Sequence, residues 1–300
     1  MCIRDRFITK HRNSPFFLYL SFYSVHTPLQ GKPGLVAKYR AKAARMPLAE
    51  GESAFGSEEQ VSKHPGNSSS TRKVRIRQRH PVYAAMMESL DNAVGHVLDS
   101  IASNGLTEET IVVFMSDNGG LSTSEGSPTS NVPLRGGKGW LYEGGIREPY
   151  MISAPGLTKG GEVCHQPVTS MDFYPTLLAL AGIPSRPKQH LDGQSLVSLL
   201  KDPESSLSRK SLHWHYPHYS NQGGFPGGAI RQGDYKLIER FEDGRVHLFN
   251  LATDLGEKED LAERQPDKVH TMRKDLHAWY RRVDAKFLRQ KPGGPRPWRP

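Results

Sequence analysis

"TIVVFMSDNGG", residues 110–120, sets an apolar, β-branched run directly against an acid, an amide and two glycines. The run from Thr110 to Ser116 shows no polar alternation, which predicts a short strand covered on both faces. Asp117, Asn118, Gly119 and Gly120 stand where that strand ends. Asp, Asn and Gly all favour turns, so a plain turn accounts for them. A second reading competes with it. Asp117 and Asn118 offer one carboxylate and one amide oxygen, half of a hard-cation site suited to calcium or magnesium rather than zinc. In open α/β sheets ligands bind beyond the carboxyl ends of the strands, which is where this pair lies.

On both sides of this stretch, strand and helix patterns alternate. "PFFLYLSFY" (15–23) reads as a buried strand, and "YMISAP" (150–155) as another. "PVYAAMMESLDNAVGHVLDSIASNG" (81–105) predicts a helix. Pro81 suits its first turn and Gly105 its C-terminal cap, while Tyr83, Met87, Leu90, Val94, Val97, Leu98 and Ile101 recur at helical spacing. "SMDFYPTLLALAGI" (170–183) reads as a second helix. This order implies a parallel sheet with helices on both faces. From about residue 210 the pattern changes: "AIRQGDYKLIER" and "GRVHLFNL" alternate around the hairpin signal "FEDGR", and 266–288 forms an amphipathic helix. The polar, Gly/Ser-rich stretch 47–75 reads as a surface insertion.

Composition narrows the class. In 300 residues the formal net charge is +9 and the mean hydropathy is negative, with no apolar run long enough to span a bilayer. The positive charge fits an anionic partner. Much of it lies in "TRKVRIRQRH" (71–80) and "RQKPGGPRPWRP" (289–300), read as a solvated linker and a frayed tail; no nucleic-acid motif occurs. Two cysteines, Cys2 and Cys164, make neither a disulfide framework nor a zinc ribbon. Cys164 reads as an ordinary, partly buried thiol. The opening "MCIRDR" is not a signal peptide and reads as a possible cloning or assembly artefact.

Taken in order, "VHTPL" (25–29), "SDNGG" (116–120) and "PLRGGKGWLYEGGIREP" (133–149) resemble the sulfatases of the alkaline-phosphatase superfamily. "PVYAAMMESLD", "MDFYPTLLALAG", "LDGQSL", "AIRQGDYKLI" and "LFNLATDLGEKEDLA" extend the resemblance from about residue 15 to 285. It implies an alkaline-phosphatase-like α/β fold: a mixed, mainly parallel sheet sandwiched by helices, with a smaller C-terminal α+β subdomain of antiparallel sheet plus helix. Residues 1–205 would be the C-terminal part of the catalytic domain and 206–300 the subdomain. The implied activity is hydrolysis of sulfate esters, releasing inorganic sulfate. Asp117 and Asn118 would hold one calcium ion, with magnesium possible. His26 would donate to the bridging ester oxygen, and Lys138 would touch both sulfate and ester oxygen. These residue types suit the chemistry, because charge develops on the departing oxygen. Glu143 and Arg147 read as a structural pair bracing the lysine loop. "RGGKG" lacks the spacing of a nucleotide phosphate loop, so its glycines read as letting backbone approach the anion.

Family members use a formylglycine nucleophile made from Cys/Ser-x-Pro/Ala-x-Arg, installed by a formylglycine-generating enzyme. That pattern is missing here: Cys2-Ile3-Arg4-Asp5-Arg6 has Arg at the third place, Ser185-Arg186-Pro187-Lys188-Gln189 ends in Gln, and Cys164 is followed by "HQPV". The paired upstream acids are missing too. The chain is therefore expected to be an N-terminally truncated sulfatase, inactive alone and poorly stable. For substrate, "LHWHYPHYSNQGGFPGGAIR" (212–231) places His215 and His218 where they would contact a sulfated carbohydrate; a packed His/Tyr-rich loop is the alternative. Family habit implies export to the periplasm, lysosome or outside. Two other readings stay open: a phosphodiesterase or phosphatase of the same superfamily, against which Asn118 speaks, and a non-catalytic sulfate-binding homologue.

Overall fold

A computed structural model describes residues 3–61, 70–294 and 296–300. In chain order the elements are α1 (Ile3–His11), α2 (Pro33–Ala44), β1 (Phe55–Val61), β2 (Ser70–Arg75), α3 (Pro81–Ser103), β3 (Val112–Met115), α4 (Glu143–Ile146) and β4 (Tyr150–Ser153). They continue with α5 (Phe173–Leu180), α6 (Val197–Lys201), β5 (Leu212–Tyr216), β6 (Gly227–Gln232), β7 (Tyr235–Arg240), β8 (Val246–Asn250) and α7 (Pro266–Arg282). The chain divides into two compact units: residues 1–17, 96–115 and 149–210 form one, and 18–95, 116–148 and 211–300 the other.

In the first unit β3 pairs with β4, antiparallel, with Val112 opposite Ser153 and Met115 opposite Tyr150. The parallel pairing expected of these strands is thus not what they make with each other. Along β4 Met151 and Ser153 are exposed while Tyr150 and Ile152 are half-buried, the alternation of a strand with one open face. The single turn of 3-10 helix at Ser170–Asp172 that leads into the helix at 173–180 is closed by a capping box: Thr169 N–H donates to the Asp172 carboxylate at 2.8 Å, and Met171 N–H donates to Thr169 Oγ1 at 3.0 Å. Arg209 grips the buried Asp172 with two nitrogens, at 2.7 and 2.8 Å. Cys164 is exposed rather than partly buried, its thiol lying 3.3 Å from the Pro203 carbonyl oxygen.

The second unit is built on the four-stranded antiparallel sheet β5-β6-β7-β8, the expected hairpin architecture. Strand alternation sends successive residues of β7 to opposite faces. Leu237 joins Ile230 and Leu248 against Met272, Leu276 and Tyr280 of α7. Ile238 joins Ala229 and Phe249 against Trp140, Leu141 and Tyr142. One face of the sheet thus holds the helix. The other holds the loop that follows Lys138, and this fixes where that loop sits.

Three expectations change here. Residues 15–23 form no strand: Phe17, Tyr19 and Tyr23 are 69 %, 75 % and 71 % exposed, since an apolar run becomes a strand only where partners supply ladder hydrogen bonds. The stretch 47–75 is less an insertion than a strap. Its hairpin of β1 and β2 buries Val74 in the Trp140 cluster, and Glu58 and Glu59 pair with Arg135 and Arg245; residues 62–69 lie outside the described residues, as does Cys2. Nor is the basic tail frayed throughout, because Trp298 stacks on Phe241, with centroids 6.3 Å apart, and Arg273 sits over the Trp298 ring.

The helix at 81–103 forms as predicted, with Gly105 at φ 73° after it. Its buried residues are Tyr83, Ala85, Met86 and Ile101, whereas Met87 and Leu98 of the predicted apolar face are 45 % and 44 % exposed.

Candidate active site

Two Gly-rich loops of the second unit are sewn together by one side chain. Asn131 Oδ1 accepts from Gly120 N–H at 3.1 Å, and its Nδ2 donates to the carbonyls of Gly120, at 2.9 Å, and Gly136, at 3.0 Å. Lys138 N–H donates to the same Gly120 carbonyl at 3.1 Å. Gly119 N–H donates to Gly145 O at 3.3 Å, and Ser116 Oγ donates to Asn118 O at 3.1 Å. The turn that bears Asp117 and Asn118 is therefore anchored to the loop that bears Lys138. Such close backbone approach demands glycine. A Cβ on Gly137 would overlap the Gly120 carbonyl oxygen, and one on Gly119 the Gly144 carbonyl oxygen. These glycines thus pack protein backbone on protein backbone, a different use from the anion approach expected of "RGGKG".

His26 meets this loop from 112 residues away: its Nε2 lies 3.5 Å from Lys138 Nζ. The ring is aimed by its own neighbours. Nδ1 sits 2.8 Å from Thr27 O, and because a carbonyl only accepts, Nδ1 carries the proton. Nε2 is then free to accept from the lysine ammonium. Tyr23 O–H donates to the same Thr27 carbonyl at 2.7 Å, and its ring packs 5.3 Å from the imidazole. His26 and Asp117 are exposed; Asn118 and Lys138 are half-buried.

Sequence reasoning passed over Glu148. Its Oε1 is buried without a hydrogen-bond partner, and burial followed by the nearby Asp117 charge pushes its carboxyl up to about 7. The carboxyls of Glu148 and Asp117, with the Asn118 amide oxygen, are oxygen donors of the kind a hard cation takes. Among the described residues no cluster of three or more His, Cys, Asp or Glu gathers. Asn131 was passed over as well, since nothing in a lone Asn before Val-Pro marks a clamp.

Behind the lysine loop lies a buried ion network. Lys236 Nζ is 3.0 Å from Glu143 Oε1 and 2.9 Å from Glu257 Oε1, with all three side chains buried. Arg147 and Arg231 approach the other Glu143 oxygen at 3.8 and 3.6 Å. The Glu143–Arg147 pair anticipated from sequence is present, and Lys236 ties it to the sheet. Glu257 also accepts from Glu143 N–H at 2.6 Å; its carboxyl is raised by burial, against the lowering effect of Lys236.

His215 and His218 fare differently. His215 stands in β5 with Nε2 2.6 Å from the Lys286 carbonyl oxygen, ringed by Phe241, Trp279, Tyr280 and Phe287. This is the packed alternative, and burial lowers its pKa. His218 is exposed, its ring 5.5 Å from Tyr216.

Comparison with known proteins gives the family. A family model described as Sulfatase matches residues 4–183, and one described as N-sulphoglucosamine sulphohydrolase, C-terminal, matches residues 137–285. The chain is 35 % identical over 299 residues to a sulfatase of Formosa agariphila, covering 92 % of this chain and 48 % of that protein. It is 37 % identical over 204 residues to human arylsulfatase A, covering 66 % of this chain and 38 % of that protein. The crystal structure of Ps i-CgsB superposes with a TM-score of 0.70 at 27 % identity, covering 92 % of this chain and 52 % of that one. A second structure of that protein, in complex with k-i-k-neocarrahexaose, gives 0.67 at the same identity. The chain spans about half the length of the relatives it matches. With a Sulfatase family model matching residues 4–183 and a sulfatase 35 % identical over 92 % of this chain, the chain belongs to the sulfatase family.

Proposed function

We propose that this site takes part in hydrolysis of sulfate esters of carbohydrates, releasing inorganic sulfate. The observation that carries the reading is the 3.5 Å approach of His26 Nε2 to Lys138 Nζ, on a loop hydrogen-bonded to the Asp117–Asn118 turn. Asp117 and Asn118 would hold one calcium ion, which when bound supplies positive charge against the sulfate oxygens. Lys138 binds an anionic oxygen as a point charge. His26 keeps one proton on Nδ1 towards Thr27 O; protonated also at Nε2, it donates to the departing ester oxygen, a role typically worth roughly 100- to 10,000-fold in rate. The carbohydrate reading is supported by the relative that binds k-i-k-neocarrahexaose. The nucleophile is a formylglycine contributed outside residues 1–300, made by a formylglycine-generating enzyme, and the protein works in an exported compartment. None of the helices is long and apolar enough to cross a membrane among the described residues.

Titrating inorganic sulfate into the calcium-loaded chain tests the reading. Saturable binding that weakens at least tenfold in Lys138→Ala is expected; equal affinity in that variant overturns it. The 300-residue chain should give no turnover of sulfated saccharides.

A further inference from the structure

A carboxylate stands next to Thr27, beside His26. The Glu125 side chain is exposed, and its Oε2 accepts a 2.5 Å hydrogen bond from Thr27 Oγ1. The same Thr27 hydroxyl lies 3.4 Å from His26 Nδ1. Glu125 is therefore one hydroxyl away from the imidazole that faces the ester. Its placement is enforced. Glu125, Gly126 and Ser127 run at φ 50°, 88° and 46°, a left-handed stretch that L side chains avoid unless their surroundings impose it. Ser127 N–H closes the turn on Ser124 O at 2.7 Å, and Arg75 donates to the Ser127 carbonyl.

An acid here works against binding a sulfate, because it repels the anion that Lys138 attracts. It is useful only if it discriminates. A carboxylate accepts hydrogen bonds and gives none, so it favours a hydroxyl or ammonium donor and rejects a second anionic group. We propose that Glu125 is a specificity-determining residue that reads the leaving-group sugar. It accepts a hydrogen bond from a free hydroxyl or amine beside the scissile ester and excludes substrates carrying a second sulfate at that neighbouring position. This rests on the reading of His26 as the residue facing the ester oxygen.

The test uses the calcium-loaded 300-residue chain, calorimetry and three probes: inorganic sulfate, a monosulfated hexose with free neighbouring hydroxyls, and the same hexose sulfated at the adjacent carbon as well. Glu125→Gln is the variant, because its amide oxygen can still accept from Thr27 and the loop keeps its anchor. The wild-type chain should prefer the monosulfated over the disulfated sugar by about tenfold. In Glu125→Gln the preference should vanish, while inorganic sulfate, relieved of the repulsion, binds at least as tightly as in the wild type. The same preference in both proteins overturns the proposal, as does a wild-type chain that binds the two sugars equally. No binding of inorganic sulfate by the wild-type chain overturns the parent reading instead.

Discussion

Lys236→Met should be among the most damaging single substitutions in the second unit. Lys236 is fully buried and lies 3.0 and 2.9 Å from carboxylates that are themselves buried. Removing one partner of a buried ion pair costs about 3–5 kcal/mol, because the remaining charge is stranded. Here the two acids differ. Glu143 keeps Arg231 at 3.6 Å and Arg147 at 3.8 Å, whereas among the described residues the Glu257 carboxylate keeps one hydrogen-bond donor besides Lys236, the Glu143 N–H at 2.6 Å. One acid is stranded rather than two, which places the loss near the lower end, about 3 kcal/mol. The pH dependence identifies the cause. Glu257 is already raised by burial, and without the ammonium both burial and Glu143 raise it further. A carboxyl with a raised folded-state pKa contributes stability at low pH and loses it as pH rises through that pKa. The deficit of Lys236→Met, measured from urea midpoints between pH 5 and pH 8, should therefore be smallest at pH 5 and grow towards pH 8. Adding Glu257→Gln should remove most of the pH dependence. A deficit under 1 kcal/mol, or one that does not change with pH, refutes the stranded-charge argument.

Other outcomes follow from single contacts. A Cβ on Gly228 would fall on the Tyr280 hydroxyl, so Gly228→Ala should lower stability by about 1–3 kcal/mol, and Tyr280→Phe in the same chain should restore part of it in a urea melt. Asn131→Ala removes three hydrogen bonds, two to the Gly120 and Gly136 carbonyls and one from the Gly120 N–H; calcium and sulfate affinities measured by calorimetry should both fall, with about 1–3 kcal/mol lost in stability. Glu148, near pH 7 through burial and Asp117, should stabilise the calcium-free protein below the ordinary carboxylate pKa and lose that contribution as pH rises through about 7. Thermal midpoints of wild type minus Glu148→Gln in EDTA should accordingly decline from pH 4.5 to pH 8, and a constant difference counts against the raised pKa.

The parts of the molecule legible in sequence are those governed by local periodicity. The helix 81–103 and the hairpin at "FEDGR" follow from apolar spacing and turn residues and form as read, whereas "AIRQGDYKLIER", read as one alternating run, turns between Gln232 and Tyr235 into two antiparallel strands. Long-range pairing is where reading residues one by one fails. The run 15–23 has the composition of a strand but no ladder partner, and β3 and β4 pair antiparallel because strand direction is set by connections, not by composition. The arginines of 71–80 look solvated in sequence, yet Arg72, Arg75 and Arg79 donate to the carbonyls of Asn221, Ser127 and Ala43. The site divides in the same way. His26 and Lys138 could be named from motifs and do come together. Glu148 and Asn131 could not, because their roles depend on burial and on which backbone groups lie within reach.

Calcium titration by calorimetry of the wild-type chain and of Asp117→Ala tests the central claim most directly. One saturable site in the wild type, lost or weakened at least a hundredfold in Asp117→Ala with the fold intact by circular dichroism, is the predicted result. Calcium binding of equal strength in both proteins, or none in the wild type, contradicts it.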